Sequence, residues 1–259
     1  MQDAGITLKD LSVGYPGRML VAGAGVAFPA GSLSAVVGRN GTGKSTLLRV
    51  MAGLARPISG EVLAGGGDIS RLTPQRLAET VGFVSTERIR VTNLKVCDVV
   101  SLGRTPYTNW IGRLTPEDEA AVAEALAQVG MSDFATKEMD TLSDGEAQRV
   151  MIARVLAQDT PVILLDEPTA FLDLPNRYEV CLLLRRLARE RGKTVVFSSH
   201  DLAIVMELAD RIMVLEAGGV HFGTPGELLS EGSIGRIFEG TSISFDSSGT
   251  IVYEMKNEK

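Results

Sequence analysis

Two glycines five residues apart, followed at once by lysine and serine, mark the stretch GRNGTGKST from Gly38 to Thr46. Each of these residue types suits contact with a polyphosphate. A loop that wraps its backbone N–H groups round phosphate oxygens leaves no room for side chains where they approach, hence Gly41 and Gly43. A helix opening at about Lys44 would aim its unpaired amides and positive end at the same phosphates. Lys44 would add a full charge on the terminal ones, and Ser45 is placed to hold Mg²⁺. The whole run, with Gly38, Asn40 and Thr46, is a candidate binding segment for a nucleoside triphosphate.

A second constellation is VILLDEP, Val162 to Pro168, where four apolar residues read as a buried strand that delivers Asp166 and Glu167 at its end. Beside a phosphate loop, Asp166 would hold Mg²⁺ or its water, and Glu167 would orient and deprotonate an attacking water. A capping pair at a strand-to-helix turn would also place two acids there. A third is TLSDGEAQRV, in which Ser143 and Glu146 have the spacing of a capping box and open a helix that ends before Pro161. Such a tip exposes amides that can bind an anion, although a capped surface helix would look the same.

The elements that must position these groups follow from periodicity. Residues 33–37 read as a buried strand and 46–52 as a helix, the context a phosphate loop requires. Before them, 6–15 and 19–28 read as strands joined by the turn YPGR. After them come a strand in SGEVLAGGGDI, a short helix in PQRLAET and a strand over 81–84. From about 87 to 158 the pattern turns helical, with LTPEDEAAVAEALAQVG starting at Thr115-Pro116. From Pro161 strands and helices alternate through VILLDE, VCLLLRRLARERG, TVVFSSHD and RIMVLEAG to a turn at Gly219, which implies a parallel sheet. The tail MKNEK is expected to fray.

Length and composition bound the rest. With 259 residues, 44% hydrophobic and 22% charged, the chain fits one globular domain with a subdomain. A net charge of −6 without a basic patch excludes nucleic acid as the expected partner. Cys97 and Cys181 lack paired spacing and read as unpaired core thiols. There is neither a leader-like N-terminus nor an apolar run of about 18 residues, so neither export nor membrane insertion is expected.

Taken in order, GRNGTGKST, LSDGEAQRV, LLDEPTAFLD and SSHD make the chain similar to the nucleotide-binding subunit of ATP-binding cassette (ABC) transporters over nearly its whole length. The resemblance implies a RecA-like P-loop α/β fold. A mostly parallel sheet core (about 1–86 and 160–259) would carry an N-terminal antiparallel β subdomain and an inserted α-helical subdomain (about 87–159). It implies ATP and Mg²⁺ as cofactors and a head-to-tail dimer, in which Ser143 and Gly145 of one copy reach the γ-phosphate held by the other. Tyr15 matches the aromatic that stacks on adenine, Asp173 the loop acid at the dimer seam, and His200 the histidine that contacts the γ-phosphate. His221 matches nothing.

Two positions depart from the family pattern. Thr86, a candidate metal-site residue, stands where glutamine usually meets Mg²⁺ and water; it is shorter, so a bridging water or Glu87 is expected to substitute for the missing reach. Asp144 and Glu146 replace glycine and glutamine in the signature, placing two acids near the γ-phosphate, which should weaken closure unless they point away. The segment DVVSLGRTP most resembles the ATPases of importers for iron siderophores, haem and vitamin B12. That implies separate membrane permease subunits, an indirect link to a substrate-binding protein, and a peripheral place on the cytoplasmic side of the inner membrane. The competing expectations are a soluble ABC ATPase of the metal-cluster assembly type and the ATPase of another ABC transporter.

Overall fold

A computed structural model of the chain describes residues 4–87, 92–108, 112–216, 219–237, 243–245 and 251–253. The chain opens with β1 (Ala4–Tyr15) and β2 (Arg18–Pro29), then β3 (Leu33–Gly38), α1 (Lys44–Met51), β4 (Ser59–Ala64), β5 (Gly67–Asp68), α2 (Pro74–Thr80) and β6 (Val81–Val84). Three helices follow, α3 (Val96–Ser101), α4 (Pro116–Gln128) and α5 (Asp144–Ala157). The chain then returns to alternation with β7 (Val162–Leu165), α6 (Leu174–Arg191), β8 (Thr194–Ser198), α7 (Leu202–Leu208) and β9 (Arg211–Glu216). It ends with β10 (Gly219–Gly223), α8 (Pro225–Ser230), α9 (Ser233–Arg236), β11 (Ile243–Phe245) and β12 (Ile251–Tyr253).

The central sheet runs in the order β10-β9-β3-β8-β7-β6, parallel from β9 to β6, with β10 added antiparallel at one edge. A second, antiparallel sheet has the order β2-β1-β4-β5. Side chains on the central strands alternate between two cores, as a period of two requires. Leu33, Ala35, Val37, Ile163, Leu165, Val195 and Phe197 face the core shared with α3 to α7, whereas Val36, Val162, Leu164 and Val196 face α1 and the antiparallel sheet. Both faces are covered, which is why β3, β7 and β8 read as unbroken apolar runs. The carboxyl ends of these three strands lie side by side and carry Gly38, Asp166 and Ser198, the edge at which sheets of this kind bind ligands.

The rear end of α5 is fastened to its surroundings. Arg154 Nη2 donates to Phe83 O on β6 (2.9 Å) and Gln158 Nε2 to Ala78 O (2.6 Å). Arg104 Nη1 donates to Ala157 O at 2.8 Å. The segment after α3 crosses α5 so tightly that a Cβ on Gly103 would lie 2.1 Å from Arg154 O. Arg104 also donates through Nε to Asp118 Oδ1 at 2.8 Å, with side chains only 13% and 4% exposed. Asp118 closes the capping box of α4 on Thr115.

The N–H of Thr115, followed by the Arg104 hydrogen bond, holds the Asp118 carboxyl below the usual carboxylate range. Its stabilising contribution is therefore present above the unfolded-state value of about 3.9 and fades as pH falls through the lower folded value. Removing one partner of a fully enclosed ion pair costs ~3–5 kcal/mol. Arg104 keeps a carbonyl partner, so Asp118→Ala should lower the unfolding free energy at pH 7 by about 2–3 kcal/mol in urea melts. The gap from the parent should narrow as pH falls below about 4, where the unfolded aspartate takes up a proton that the folded carboxylate, held lower, still resists.

Several boundaries differ from the sequence expectation. The helix opens at Lys44, as the phosphate-loop reading expects, two residues before the run 46–52 that composition marks as helical. Gly219, expected in a turn, is the first residue of β10 and pairs with Glu216. Helices α8 and α9 and the hairpin β11-β12 were not anticipated. MKNEK and Asn109-Trp110 lie outside the described residues. Neither cysteine is paired; Cys181 is buried, which pushes its thiol up to about 12, and Cys97 is partly exposed.

Candidate functional site

The loop after β3 turns sharply because its glycines adopt backbone that other residues resist. Gly38 has φ 153, and a Cβ there would meet Leu215 O at 2.5 Å; Gly43 has φ 104, and a Cβ there would meet Leu20 Cβ at 2.9 Å. Over Gly41 the space is open, and a Cβ there would find its nearest neighbour, Arg18 Nη2, only at 4.0 Å. Within this ring Lys44 is only 5% exposed and donates to Gly38 O (3.0 Å) and Arg39 O (3.4 Å). Burial pulls its ammonium below the usual value, while Glu167 and then Asp166 push it back. Thr46 Oγ1 and Tyr15 Oη are 3.1 Å apart, which anchors the edge of a tyrosine ring that is otherwise 59% exposed. Asn40 lies on the exposed crest of the loop.

Facing the loop, the end of β7 delivers two acids in different directions. Ser45 Oγ donates to Asp166 Oδ1 at 3.0 Å. Ser198 Oγ, at the end of β8, donates to the same oxygen at 2.7 Å and accepts the N–H of Glu167 at 2.8 Å. Glu167 has φ 49, a left-handed conformation uncommon outside glycine, which turns its carboxylate to His200 Nε2 at 2.6 Å. Thr86 Oγ1 donates to Asp166 O at 3.0 Å, so it meets the acid's backbone rather than its carboxylate. Glu87, expected as a stand-in at this place, instead extends 78% exposed toward Arg49 at 3.4 Å.

The tip of α5 forms a separate group. Ser143 caps the helix, and Glu146 Oε2 accepts from both Ser143 N (2.8 Å) and Ser143 Oγ (2.7 Å). Those bonds hold the Glu146 carboxyl below its ordinary range, so this acid is turned inward along its own helix. Asp173 caps α6 and grips Asn176 through Nδ2 at 2.6 Å, and Asn176 in turn lies 3.6 Å from where a Cβ of Gly145 would be. Asp173 and Gly145 are therefore neighbours across one asparagine. A cleft of about 500 Å³ opens between this tip and the strand ends, lined by Thr86, Glu87, Asp144, Glu167 and Phe171. Among the described residues no hydrogen bond joins Ser143 or Gly145 to residues 38–46.

The structure thus gathers Tyr15, the loop, Thr86, Asp166, Glu167 and His200 at one edge, and Ser143, Gly145 and Asp173 at another. His221 is in neither group; its partner Glu216, at 3.7 Å, lines a cleft with Arg39 to Thr42 of the loop. Sequence reasoning passed over Ser198 and Asn176. The signal for Ser198 was a polar residue closing an otherwise apolar strand, two positions before His200.

A family model described as ABC transporter matches residues 21–170. The chain is 39% identical over 234 residues to the achromobactin transport ATP-binding protein CbrD of Dickeya dadantii, covering 90% of this chain and 87% of that one. It is 33% identical to the iron(3+)-hydroxamate import ATP-binding protein FhuC of Bacillus subtilis, covering 90% and 87%. Among solved structures it is similar to cbiO1 of Clostridium perfringens, part of the ABC transporter complex cbiONQ, with TM-score 0.78, 31% identity and coverage of 91% and 94%. A dimeric bacterial ABC transporter cassette matches with TM-score 0.72 and 29% identity, covering 83% and 97%.

Proposed function

This chain belongs to the ABC transporter family, and on that footing we propose that it is the ATP-hydrolysing subunit of an importer for metal chelates of the siderophore, haem or cobalamin type. It works as a head-to-tail pair against separate membrane permease subunits, which receive cargo from a substrate-binding protein. The observation that carries this reading is the division into two half-sites. A phosphate cradle with its acids lies at one edge, and at the other lies a capped helix tip whose Ser143 and Gly145 make no hydrogen bond to residues 38–46 among the described residues. Each half completes the other only across two copies. Residues of about 87–159 form the helical subdomain that carries the tip, and the remainder forms the core.

In the first step the loop amides and the positive end of α1 receive the triphosphate, and Tyr15 stacks on the base. Lys44 exchanges the carbonyls of Gly38 and Arg39 for phosphate oxygens, a gain because an ammonium bonds a charged acceptor more strongly than a neutral one. Ser45 Oγ and Asp166 Oδ1, two hard oxygens 3.0 Å apart, are the groups that would hold Mg²⁺. When bound, such an ion offsets the charge that builds up on the transferring phosphoryl group.

Glu167 takes the proton of the attacking water, and His200 steadies Glu167 beside the γ-phosphate. Ser143 and Gly145 of a second copy close over that phosphate, so its cleavage removes the contact that favours the closed pair. Among the described residues no helix is long and apolar enough to cross a membrane. The chain's seat in this reading is the cytoplasmic face of the permease.

Disrupting the gene in its host and measuring uptake of labelled ferric siderophore, haem and cobalamin tests the assignment. Uptake of one of the three should fall to background and return with the intact chain but not with Lys44→Ala. Unchanged uptake of all three, with ATP hydrolysis intact in the purified chain, would remove the chelate-import assignment.

A further inference from the structure

Ser198 is fully buried at the end of β8, and its hydroxyl is used in both directions. It donates to Asp166 Oδ1 at 2.7 Å and accepts the backbone N–H of Glu167 at 2.8 Å. One side chain therefore fixes the carboxylate proposed to hold Mg²⁺ and the backbone of the proposed base. Asp166 Oδ1 has a second donor in Ser45, at 3.0 Å, but that hydroxyl must turn its lone pair to the ion when Mg²⁺ binds. Ser198 is the donor that remains on the carboxylate in both conditions.

The second bond acts on geometry. Glu167 sits at φ 49, a strained region in which a non-glycine residue persists only where its surroundings impose it. The Ser198 oxygen on the Glu167 N–H is such an imposition, and the resulting turn sends the Glu167 carboxylate to His200. We propose that Ser198 is a positioning residue for ATP hydrolysis, locking the metal-site carboxylate and the left-handed backbone of the base through a single hydroxyl. The proposal rests on the ATPase reading above.

Three variants test it, with turnover and nucleotide binding measured separately. Outer-sphere partners of a metal ligand are worth ~10–100-fold in affinity or activity. Ser198→Ala should therefore lower kcat about 10–100-fold while KM for ATP changes less than about 3-fold. Affinity for a fluorescent ATP analogue in EDTA should stay within about 2-fold, yet the Mg²⁺ concentration that half-saturates its enhancement should rise about 10-fold. Ser198→Thr keeps the hydroxyl on a residue suited to a strand and should recover most of kcat. Ser34, buried on the adjacent strand β3 with a hydroxyl that has no hydrogen-bond partner among the described residues, supplies the control: Ser34→Ala should leave turnover and the Mg²⁺ requirement unchanged.

Wild-type kcat and Mg²⁺ dependence in Ser198→Ala would overturn the proposal. So would a loss of kcat matched by an equal loss of binding in EDTA, which a general packing defect produces. If Ser198→Ala fails to fold, Ser198→Thr decides: a folded threonine variant with the alanine-like drop expected above would also overturn it. A parent chain that neither binds nor hydrolyses ATP would remove the ATPase reading itself, a result separable from every outcome for Ser198.

Discussion

Lys44→Ala should reduce affinity for ATP by about 100-fold or more. The loss combines two or three charge-assisted hydrogen bonds to phosphate, each worth ~1.5–3 kcal/mol, against ~1.4 kcal/mol for each factor of ten. Titration with a fluorescent ATP analogue measures it, and unchanged affinity would remove the phosphate-loop assignment. The structure adds a control, since the ammonium also holds the carbonyls of Gly38 and Arg39 together. Arg39 is exposed on the loop crest, so water can replace the lysine at its carbonyl, whereas Gly38 is buried and its carbonyl loses a partner. That one unpaired carbonyl costs ~1–3 kcal/mol, so the unfolding temperature of the variant should fall by no more than about 10 °C with a cooperative transition, separating loss of the ligand contact from loss of the fold.

Glu167→Gln should lower the rate of phosphate release by about 1,000-fold, within the ~10²–10⁴ range for removing a general base, while ATP still binds. The amide oxygen of glutamine can accept from His200 as the carboxylate does, so the 2.6 Å contact and the turn at Glu167 persist. With binding intact and cleavage blocked, the closed pair should accumulate. Size-exclusion chromatography with ATP and Mg²⁺ should then show a species of twice the monomer mass that disappears with ADP. A monomer under those conditions would contradict closure through Ser143 and Gly145.

The legible parts of this chain were those where one periodicity or one capping rule decides. Strand 81–84 and helix 74–80 coincide with the expectation to the residue, because Thr73 caps and Pro74 starts the helix and a short apolar run follows at once. β7 was equally plain, since burial on both faces leaves no polar residue before Asp166. The C-terminal hairpin was missed because strands of three residues carry too few alternations to register as a pattern. Gly219 was read as a turn for the reason glycine usually is, although the antiparallel pairing with β9 absorbs it.

In the site, residue types announced Lys44, Ser45, Asp166 and Glu167, but not who holds them. Ser198 meets Asp166 only because β7 and β8 run parallel in one register, a long-range fact that no local window contains. The direction of Glu87 depended likewise on Arg49, which lies 38 positions earlier in the chain.

The fastening at the rear of α5 has a mechanical consequence. The helix has 14 residues and so is about 21 Å long at ~1.5 Å per residue. Held at its root by Phe83, Ala78 and the crossing at Gly103, it is a lever whose far arm is tied to α6 through the Arg149–Glu179 pair before it ends in the tip at Ser143. A tilt of roughly five degrees at the root would carry the tip about 2 Å, given that length. A modest push on the neighbouring helices α3 and α4 is thereby geared up into a displacement at Ser143 large enough to make or break a hydrogen bond, while the loop at Gly38, rooted in a different strand, stays still.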